Sequence, residues 1–70
     1  MNRTNVELLK ARYRPGTVLK LIQMDDPQAP APGTKGKVTG VDDIGNILME
    51  WENGSTLNLI PGVDKFEQIL

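Results

Sequence analysis

The chain contains neither cysteine nor histidine, and it has a single serine, Ser55. The absence of cysteine excludes disulfide bonds and thiolate metal ligands, and it is typical of proteins from a reducing compartment. Without histidine or cysteine, the chain lacks the commonest general base and the strongest side-chain nucleophile. No basic group that would activate Ser55 stands near it in the sequence. These absences predict a protein that is not an enzyme.

Long apolar runs are also missing. No run approaches the ~20 residues that a membrane-spanning helix requires, and residues 1–6 lack the apolar core of a signal peptide. We therefore expect one small soluble domain in the cytoplasm, without membrane contact. A chain of 70 residues buries only about 60% of its unfolded surface, so its stability is modest.

Charge is distributed unevenly along the chain. Residues 1–20 hold five basic residues and one acidic residue, a net charge of +4, whereas the remainder holds three basic and eight acidic residues, a net charge of −5. A basic arm on an acidic body is typical of contact with nucleic acid. It is equally consistent with an arm that docks on its own body or on a second copy.

The basic arm has the pattern of a short amphipathic helix. Thr4 and Glu7 have the spacing of a capping box, and Pro15 ends the pattern after Arg14. The apolar stripe consists of Val6, Leu8, Leu9 and Tyr13. We predict residues 1–14 as a helical arm whose stripe packs on the rest of the chain, meets a partner or frays.

The clearest strand pattern surrounds Asn53-Gly54. Apolar and polar residues alternate through residues 47–51, and the alternation resumes through residues 56–60. An Asn-Gly pair between two such runs predicts a hairpin with a type I′ turn. The only tryptophan, Trp51, lies on the inward phase, which favours a place in the core over a role as a surface anchor.

The same kind of alternation, together with proline and glycine positions, predicts the remaining strands and turns. The predicted strands are residues 17–24, 37–41, 47–51, 56–60 and 67–70. Leu19, Leu21 and Val38 point inward, and a proline-stiffened loop spans residues 25–36. Pro61-Gly62 predicts a type II turn, and the following four residues suit one 3₁₀ turn.

This order of elements is typical of a mainly β fold. We predict an SH3-like five-stranded small barrel in residues 15–70, preceded by the short N-terminal α-helix. Barrel closure removes the exposed edges of a small sheet. An open five-stranded sheet and an OB-like barrel are the competing predictions.

Several segments resemble one family. They are Pro32-Gly33-Thr34-Lys35-Gly36, Trp51-Glu52-Asn53-Gly54 and residues 16–17, 21–27, 41–45 and 59–66. In order and spacing they are similar to the domain of unknown function 4314, a family of bacteria, phages and mobile elements, although Glu52 stands where that family typically has Asp. A weaker similarity links two segments, residues 36–38 and 51–54, to SH3-like domains of the mind-bomb type. The resemblance supports the barrel and implies no activity.

Two acidic pairs, Asp25-Asp26 and Asp42-Asp43, are the remaining candidates for chemistry. Adjacent residues of an extended chain point in opposite directions, so neither pair forms a catalytic dyad by itself. Aspartate at strand ends ordinarily binds backbone amides, and a divalent ion would need oxygen ligands from both loops. We therefore predict no metal, no cofactor and no small-molecule substrate.

Taken together, these patterns predict a non-enzymatic interaction module. Its partner is another protein, or a second copy bound through the N-terminal helix. The alternative is a nucleic-acid-binding barrel that uses the basic helix, and a third hypothesis is an accessory domain without independent function. The candidate binding residues are Arg3, Leu9, Lys10, Arg12, Tyr13, Arg14, Asp25, Asp26, Asp42, Asp43 and Trp51.

Overall fold

A computed structural model describes residues 3–69, with side chains from Asn5 onward. Its elements are helix α1 (Arg3–Arg12) and strands β1 (Val18–Gln23), β2 (Lys35–Val41), β3 (Ile47–Trp51) and β4 (Lys65–Ile69). The strands form one antiparallel sheet in the order β3-β2-β1-β4. The mainly β fold with a short N-terminal helix is therefore confirmed. The predicted capping box depends on the side chain of Thr4, which lies outside the described residues.

One face of the sheet is apolar because successive side chains of a strand point to opposite faces. In β1, Leu19 and Leu21 are fully buried, as predicted, and alternate with Val18 and Lys20 on the other face. Strands β2 and β3 show the same alternation. The buried core consists of Val6, Leu19, Leu21, Val38, Val41, Ile47, Met49, Trp51 and Leu59.

Helix α1 packs against this apolar face. Val6 is 4% exposed and belongs to the core, and Leu9 and Tyr13 pack partly buried against it. The ring of Tyr13 meets that of Phe66 in β4 edge to face, with 5.7 Å between the ring centroids. Of the three outcomes predicted for the stripe, the structure therefore shows packing on the chain's own sheet for Val6, Leu9 and Tyr13, whereas Leu8 is exposed. Within residues 3–69, no helix combines the length and the apolar character that crossing a membrane requires.

The predicted five-stranded barrel is wrong. The described residues form an open sheet of four strands, and β3 and β4 lie at its opposite edges. The segment predicted as a strand at residues 56–60 does approach β3 in a hairpin register. However, its one bridge to β3 joins Leu59 to Ile47, which exchange two backbone hydrogen bonds of 2.9 Å.

Local side-chain hydrogen bonds explain why this segment does not continue the sheet. In the hairpin register Leu57 lies opposite Met49, and its backbone groups would have to bond that strand. Instead, the Leu57 N–H donates to Ser55 Oγ (3.2 Å) and the Leu57 C=O accepts from Trp51 Nε1 (2.8 Å). The Ser55 N–H in turn donates to Asn53 Oδ1 (3.0 Å). These bonds take the place of the backbone hydrogen bonds that would join Leu57 to Met49.

The hairpin turn also differs from the prediction. Gly54 has a φ of 88°, but Asn53 does not have a positive φ, so the turn is not of type I′. The Gly54 N–H donates to the Trp51 C=O and the Trp51 N–H donates to the Ser55 C=O, both at 2.9 Å. This is a three-residue connection with glycine in the left-handed position. The connection from β2 to β3 repeats it around Gly45, whose φ is 90°.

The turn at Pro61-Gly62 agrees with the prediction. The Val63 N–H donates to the Ile60 C=O (3.0 Å) and Gly62 has a φ of 86°, which are features of a type II turn. The 3₁₀ turn predicted at residues 63–66 is wrong, because the chain extends from this turn directly into β4.

The long loop before β2 is tied to β1 at its end. The Leu21 N–H donates to the Thr34 C=O (2.9 Å), and the Gly33 N–H donates to the Leu21 C=O (2.7 Å). These bonds extend the pairing between β1 and β2, so that β2 begins at Lys35, earlier than predicted.

Candidate interaction surface

The apolar binding candidates of the N-terminal arm face the chain's own core. Leu9 and Tyr13 pack partly buried against the core, whereas Leu8 is 64% exposed. A partner that docks on the helix therefore meets Leu8 rather than Leu9. The side chain of Arg3, another candidate, lies outside the described residues.

Three basic side chains of the arm, those of Lys10, Arg12 and Arg14, are accessible to solvent. Lys10 Nζ lies 3.7 Å from Asp43 Oδ1, a solvent-exposed contact of small energetic value. The guanidinium of Arg12 lies 5.5 Å from the ring centroid of Tyr13, within the range of a cation–π interaction. Arg14, beyond the end of the helix, is exposed. All three remain available to an anionic partner.

The contact between Lys10 and Asp43 connects the helix to the turn between β2 and β3. An open pocket of about 450 Å³ lies at this junction, lined by Val6, Glu7, Lys10 and Asp43. The helix and the turn at residues 42–46 therefore border the same part of the surface.

Two of the acidic candidates bind the backbone of their own turns. Asp26 Oδ1 accepts from the Gln28 N–H at 2.7 Å. Asp42 Oδ1 accepts from the Asn46 N–H at 2.7 Å and from the Ile44 N–H at 3.2 Å. Both carboxylates thus have the structural role that aspartate commonly has in turns.

The two acidic pairs lie at opposite ends of β2. Asp25-Asp26 follow the end of β1, which is adjacent to the start of antiparallel β2, whereas Asp42-Asp43 follow the end of β2. A strand of seven residues separates them by about 20 Å. In the described part of the chain, no three His, Cys, Asp or Glu side chains are placed to hold a metal ion. The pairs therefore do not share a site.

Trp51 packs in the core and is 4% exposed. Its Nε1 donates to the Leu57 C=O, and its ring lies against the backbone of Gly36, where an added Cβ would stand 2.7 Å from Trp51 Cε3. The close approach to Gly36 escaped sequence analysis, because only the register between β2 and β3 places these two residues opposite each other.

Three large apolar side chains stand exposed at one end of the sheet, and sequence analysis missed them. Ile44 is 71% exposed, Val63 69% and Ile60 46%. The Ile47–Leu59 bridge sets the two turns side by side, and the Val63 N–H bonded to the Ile60 C=O keeps those two residues together. We call Ile44, Ile60 and Val63 the turn patch. An isoleucine inside the polar turn at residues 42–46 was the available sequence signal.

The outer face of the sheet carries a second group of lysines, outside the N-terminal helix. The register places Lys20 directly opposite Lys35, and Lys37 opposite Glu50. Lys20 Nζ also lies 2.8 Å from Glu67 Oε1 in β4. On this face, the side of the sheet away from the helix, the lysines of β1 and β2 therefore lie between Glu50 in β3 and Glu67 in β4.

Comparison with known proteins identifies one family. The family described as Domain of unknown function (DUF4314) matches residues 2–69, nearly the whole chain. No curated protein and no solved structure matches the chain. The family resemblance of the sequence segments is therefore confirmed, and the chain belongs to the DUF4314 family.

Proposed function

We propose that this chain is a non-enzymatic interaction module that binds another protein. The observation that carries the proposal is the turn patch, whose three side chains are between 46% and 71% exposed. Single exposed apolar residues are ordinary on a protein surface. Three of them in two turns at the same end of the sheet provide the apolar surface of a contact site. Burial of such side chains contributes about 25 cal/mol per Å² of apolar surface, which favours a partner that covers them.

The charges beside the turn patch indicate the chemistry of the partner. Asp42 and Asp43 lie in the same turn as Ile44, and Asp64 directly follows Val63. Asp43 is fully exposed at its side chain. Carboxylates around apolar side chains complement a partner that presents apolar residues together with lysine or arginine. We infer that the partner offers a basic amphipathic segment.

The N-terminal helix takes part in this proposal because it borders the turn at residues 42–46. Its exposed residues include Leu8 and the basic Lys10 and Arg12. The helix of a second copy has the same chemistry that the turn patch would select. Self-association through the helix is therefore the other form of the proposal, with Leu8 rather than Leu9 at the contact.

Capture experiments with the tagged full chain test this proposal. The variants I44D and V63D each place a charge in the turn patch, and T56D adds the same charge at an exposed polar position. We expect a partner protein other than this chain to be retained by the wild type and T56D and lost with I44D and V63D. If all four chains, shown folded by circular dichroism, retain the same proteins, the proposal is refuted.

Nucleic-acid binding through the basic helix is the alternative function. It is favoured by the exposure of Arg12 and Arg14 and of Lys10, whose side chain is 49% exposed. Phosphate contacts weaken steeply with salt, whereas apolar contacts persist. A mobility shift of DNA or RNA at low salt that R12E abolishes and I44D retains would support this alternative. No shift at low salt would reject it.

Two further expectations accompany the proposal. A cytoplasmic location is consistent with the absence of cysteine, and fractionation of the source cells tests it. A regulatory or host-directed adaptor role, in a bacterium, a phage or a mobile element, follows by analogy from the occurrence of the family that the sequence resembles.

A further inference from the structure

In the part of the chain that the structure describes, the outer edge of strand β4 is uncovered. At the opposite edge of the sheet, residues 55–59 lie along β3, with hydrogen bonds from Ile47 to Leu59 and from Trp51 to Ser55. No segment within residues 3–69 pairs with the outer side of β4. An open strand edge presents unpaired N–H and C=O groups that another strand can bind.

The hydrogen bonds of β1 show which of its residues face β2. The Thr17 C=O accepts from the Val38 N–H (2.8 Å), and the Leu21 N–H donates to the Thr34 C=O (2.9 Å). Backbone groups of successive residues point to opposite sides of a strand. The odd-numbered residues of β1 therefore face β2, and the even-numbered residues face β4.

This alternation identifies the outward-facing residues of β4. Lys20, an even-numbered residue of β1, pairs with Glu67, so the backbone groups of Glu67 face β1. The backbone groups of its neighbours Phe66 and Gln68 consequently face outward, where they are available to a further strand.

The outer edge of β4 can pair with β4 of a second copy in only a few registers. Two copies related by a twofold axis pair in an antiparallel manner, and outward-facing residues must oppose outward-facing residues. The axis can therefore pass through Phe66, Glu67 or Gln68.

Charge distinguishes these registers. An axis at Glu67 places two Glu67 carboxylates opposite each other, and an axis at Gln68 places Glu67 opposite Ile69. An axis at Phe66 places each Lys65 opposite Glu67 of the other copy. Opposite charges across a sheet stabilise it and like charges destabilise it, so the register centred on Phe66 is favoured.

We propose that the chain forms a twofold dimer by antiparallel pairing of β4 with β4 of a second copy, centred on Phe66. On the outer face, Glu67 then lies between Lys65 of the other copy and its own Lys20, which is 2.8 Å away. On the inner face the two Phe66 rings meet and continue the aromatic contact with Tyr13. The dimer goes beyond the function proposed above, because it uses a strand edge instead of the turn patch.

Charge reversal tests the pairing in sedimentation experiments over a range of concentrations. K65E and E67K each create two like-charge pairs, and we expect each to weaken dimerisation about tenfold or more. An equimolar mixture of the two variants restores opposite charges and should form heterodimers. K37E, a control on the outer face of β2, should dimerise like the wild type. Circular dichroism verifies folding, because E67K also removes the contact with Lys20.

Single cysteines test the register, since the chain has none of its own. In the proposed register positions 65 and 67 of the two copies are a non-hydrogen-bonded pair with Cα atoms about 4.5 Å apart, within the range of a disulfide. A mixture of K65C and E67C should cross-link under mild oxidation, whereas E67C alone should not.

Three results would overturn the dimer: a monomeric wild type at all concentrations, charge variants that dimerise normally, or cross-linking of E67C alone. Different variants test the dimer and the proposed function, so that either proposal can be refuted without the other. I44D should dimerise normally, and K65E should retain any partner of the turn patch.

Discussion

Substitution of Gly36 by alanine provides a stringent test of the packing between β2 and β3. Gly36 lies opposite Trp51, and a Cβ at this position would stand 2.7 Å from Trp51 Cε3 and 3.0 Å from both the Glu50 C=O and Met49 Cε. The flexible end of Met49 can move away. The Glu50 carbonyl belongs to the strand backbone, and the indole ring is held by its hydrogen bond to Leu57. The added methyl group therefore forces the ring or the strands to shift.

Overpacking of a well-packed core costs typically 1–3 kcal/mol. Because two of the three contacts of the added methyl group are with atoms that cannot easily move, we expect G36A to lose about 2–3 kcal/mol. A chain of this length has a free energy of unfolding of about 4–10 kcal/mol, so the loss is a large fraction of the total. Urea unfolding followed by Trp51 fluorescence measures it as a lower midpoint with an unchanged slope.

Gly40 is the matched control, because it lies in the same strand and does not have a positive φ. A Cβ at Gly40 would meet Leu48 Cδ1 at 3.8 Å, an ordinary van der Waals distance. We expect G40A to change the free energy of unfolding by less than about 0.5 kcal/mol. Equal losses in G36A and G40A would refute the close approach of Gly36 to the indole ring.

Three further predictions use the same unfolding measurement. W51A removes a buried indole and should cost about 3–5 kcal/mol, detected by circular dichroism because the fluorophore is lost; a mutant as stable as the wild type would place Trp51 at the surface. V6A should cost about 1–2 kcal/mol and L8A less than about 0.5 kcal/mol, whereas equal effects would contradict the packing of α1 on the sheet. G54A forces a Cβ into a φ of 88° with no steric clash, so its loss should be the conformational cost of about 1–2 kcal/mol; a neutral effect would contradict the turn geometry.

Local pattern was sufficient to predict much of the sheet. The alternation around Leu19, Leu21, Val38 and Trp51 predicted which side chains are buried, because a strand exposes alternate residues to opposite faces. The Pro61-Gly62 turn was predictable for a similar reason, since proline and glycine restrict the backbone to the dihedral angles that the turn needs.

The fourth predicted strand shows where local pattern misleads. Residues 56–60 alternate like a strand, yet Ser55 Oγ accepts from the Leu57 N–H, and Asn53 Oδ1 accepts from the N–H of Ser55 just before the segment. Whether such short polar side chains continue a ladder or interrupt it depends on the geometry of the turn before them. The barrel prediction failed with this strand, because closure requires continuous pairing around the sheet.

For the candidate binding residues, too, some properties were predictable from the sequence and others depended on the fold. Composition alone showed that histidine and cysteine chemistry is excluded, and periodicity showed that α1 is amphipathic. The direction of its apolar stripe toward the chain's own sheet depended on the fold. The structural role of Asp42 also depended on the fold, because its carboxylate reaches the Asn46 N–H only when the turn has formed.

The sequence by itself determined the mainly β class, the inward phase of the strands and the N-terminal helix, because each depends on residues close together in the chain. Only the tertiary structure decided that the sheet stays open, that Ile44, Ile60 and Val63 lie exposed in turns at one end of it, and that Lys65 and Glu67 lie along an edge that no segment of residues 3–69 pairs with. These features depend on which strands are neighbours and in which register they pair. Register arises from the packing of the whole core, and a shift of one residue would move every side chain to the other face.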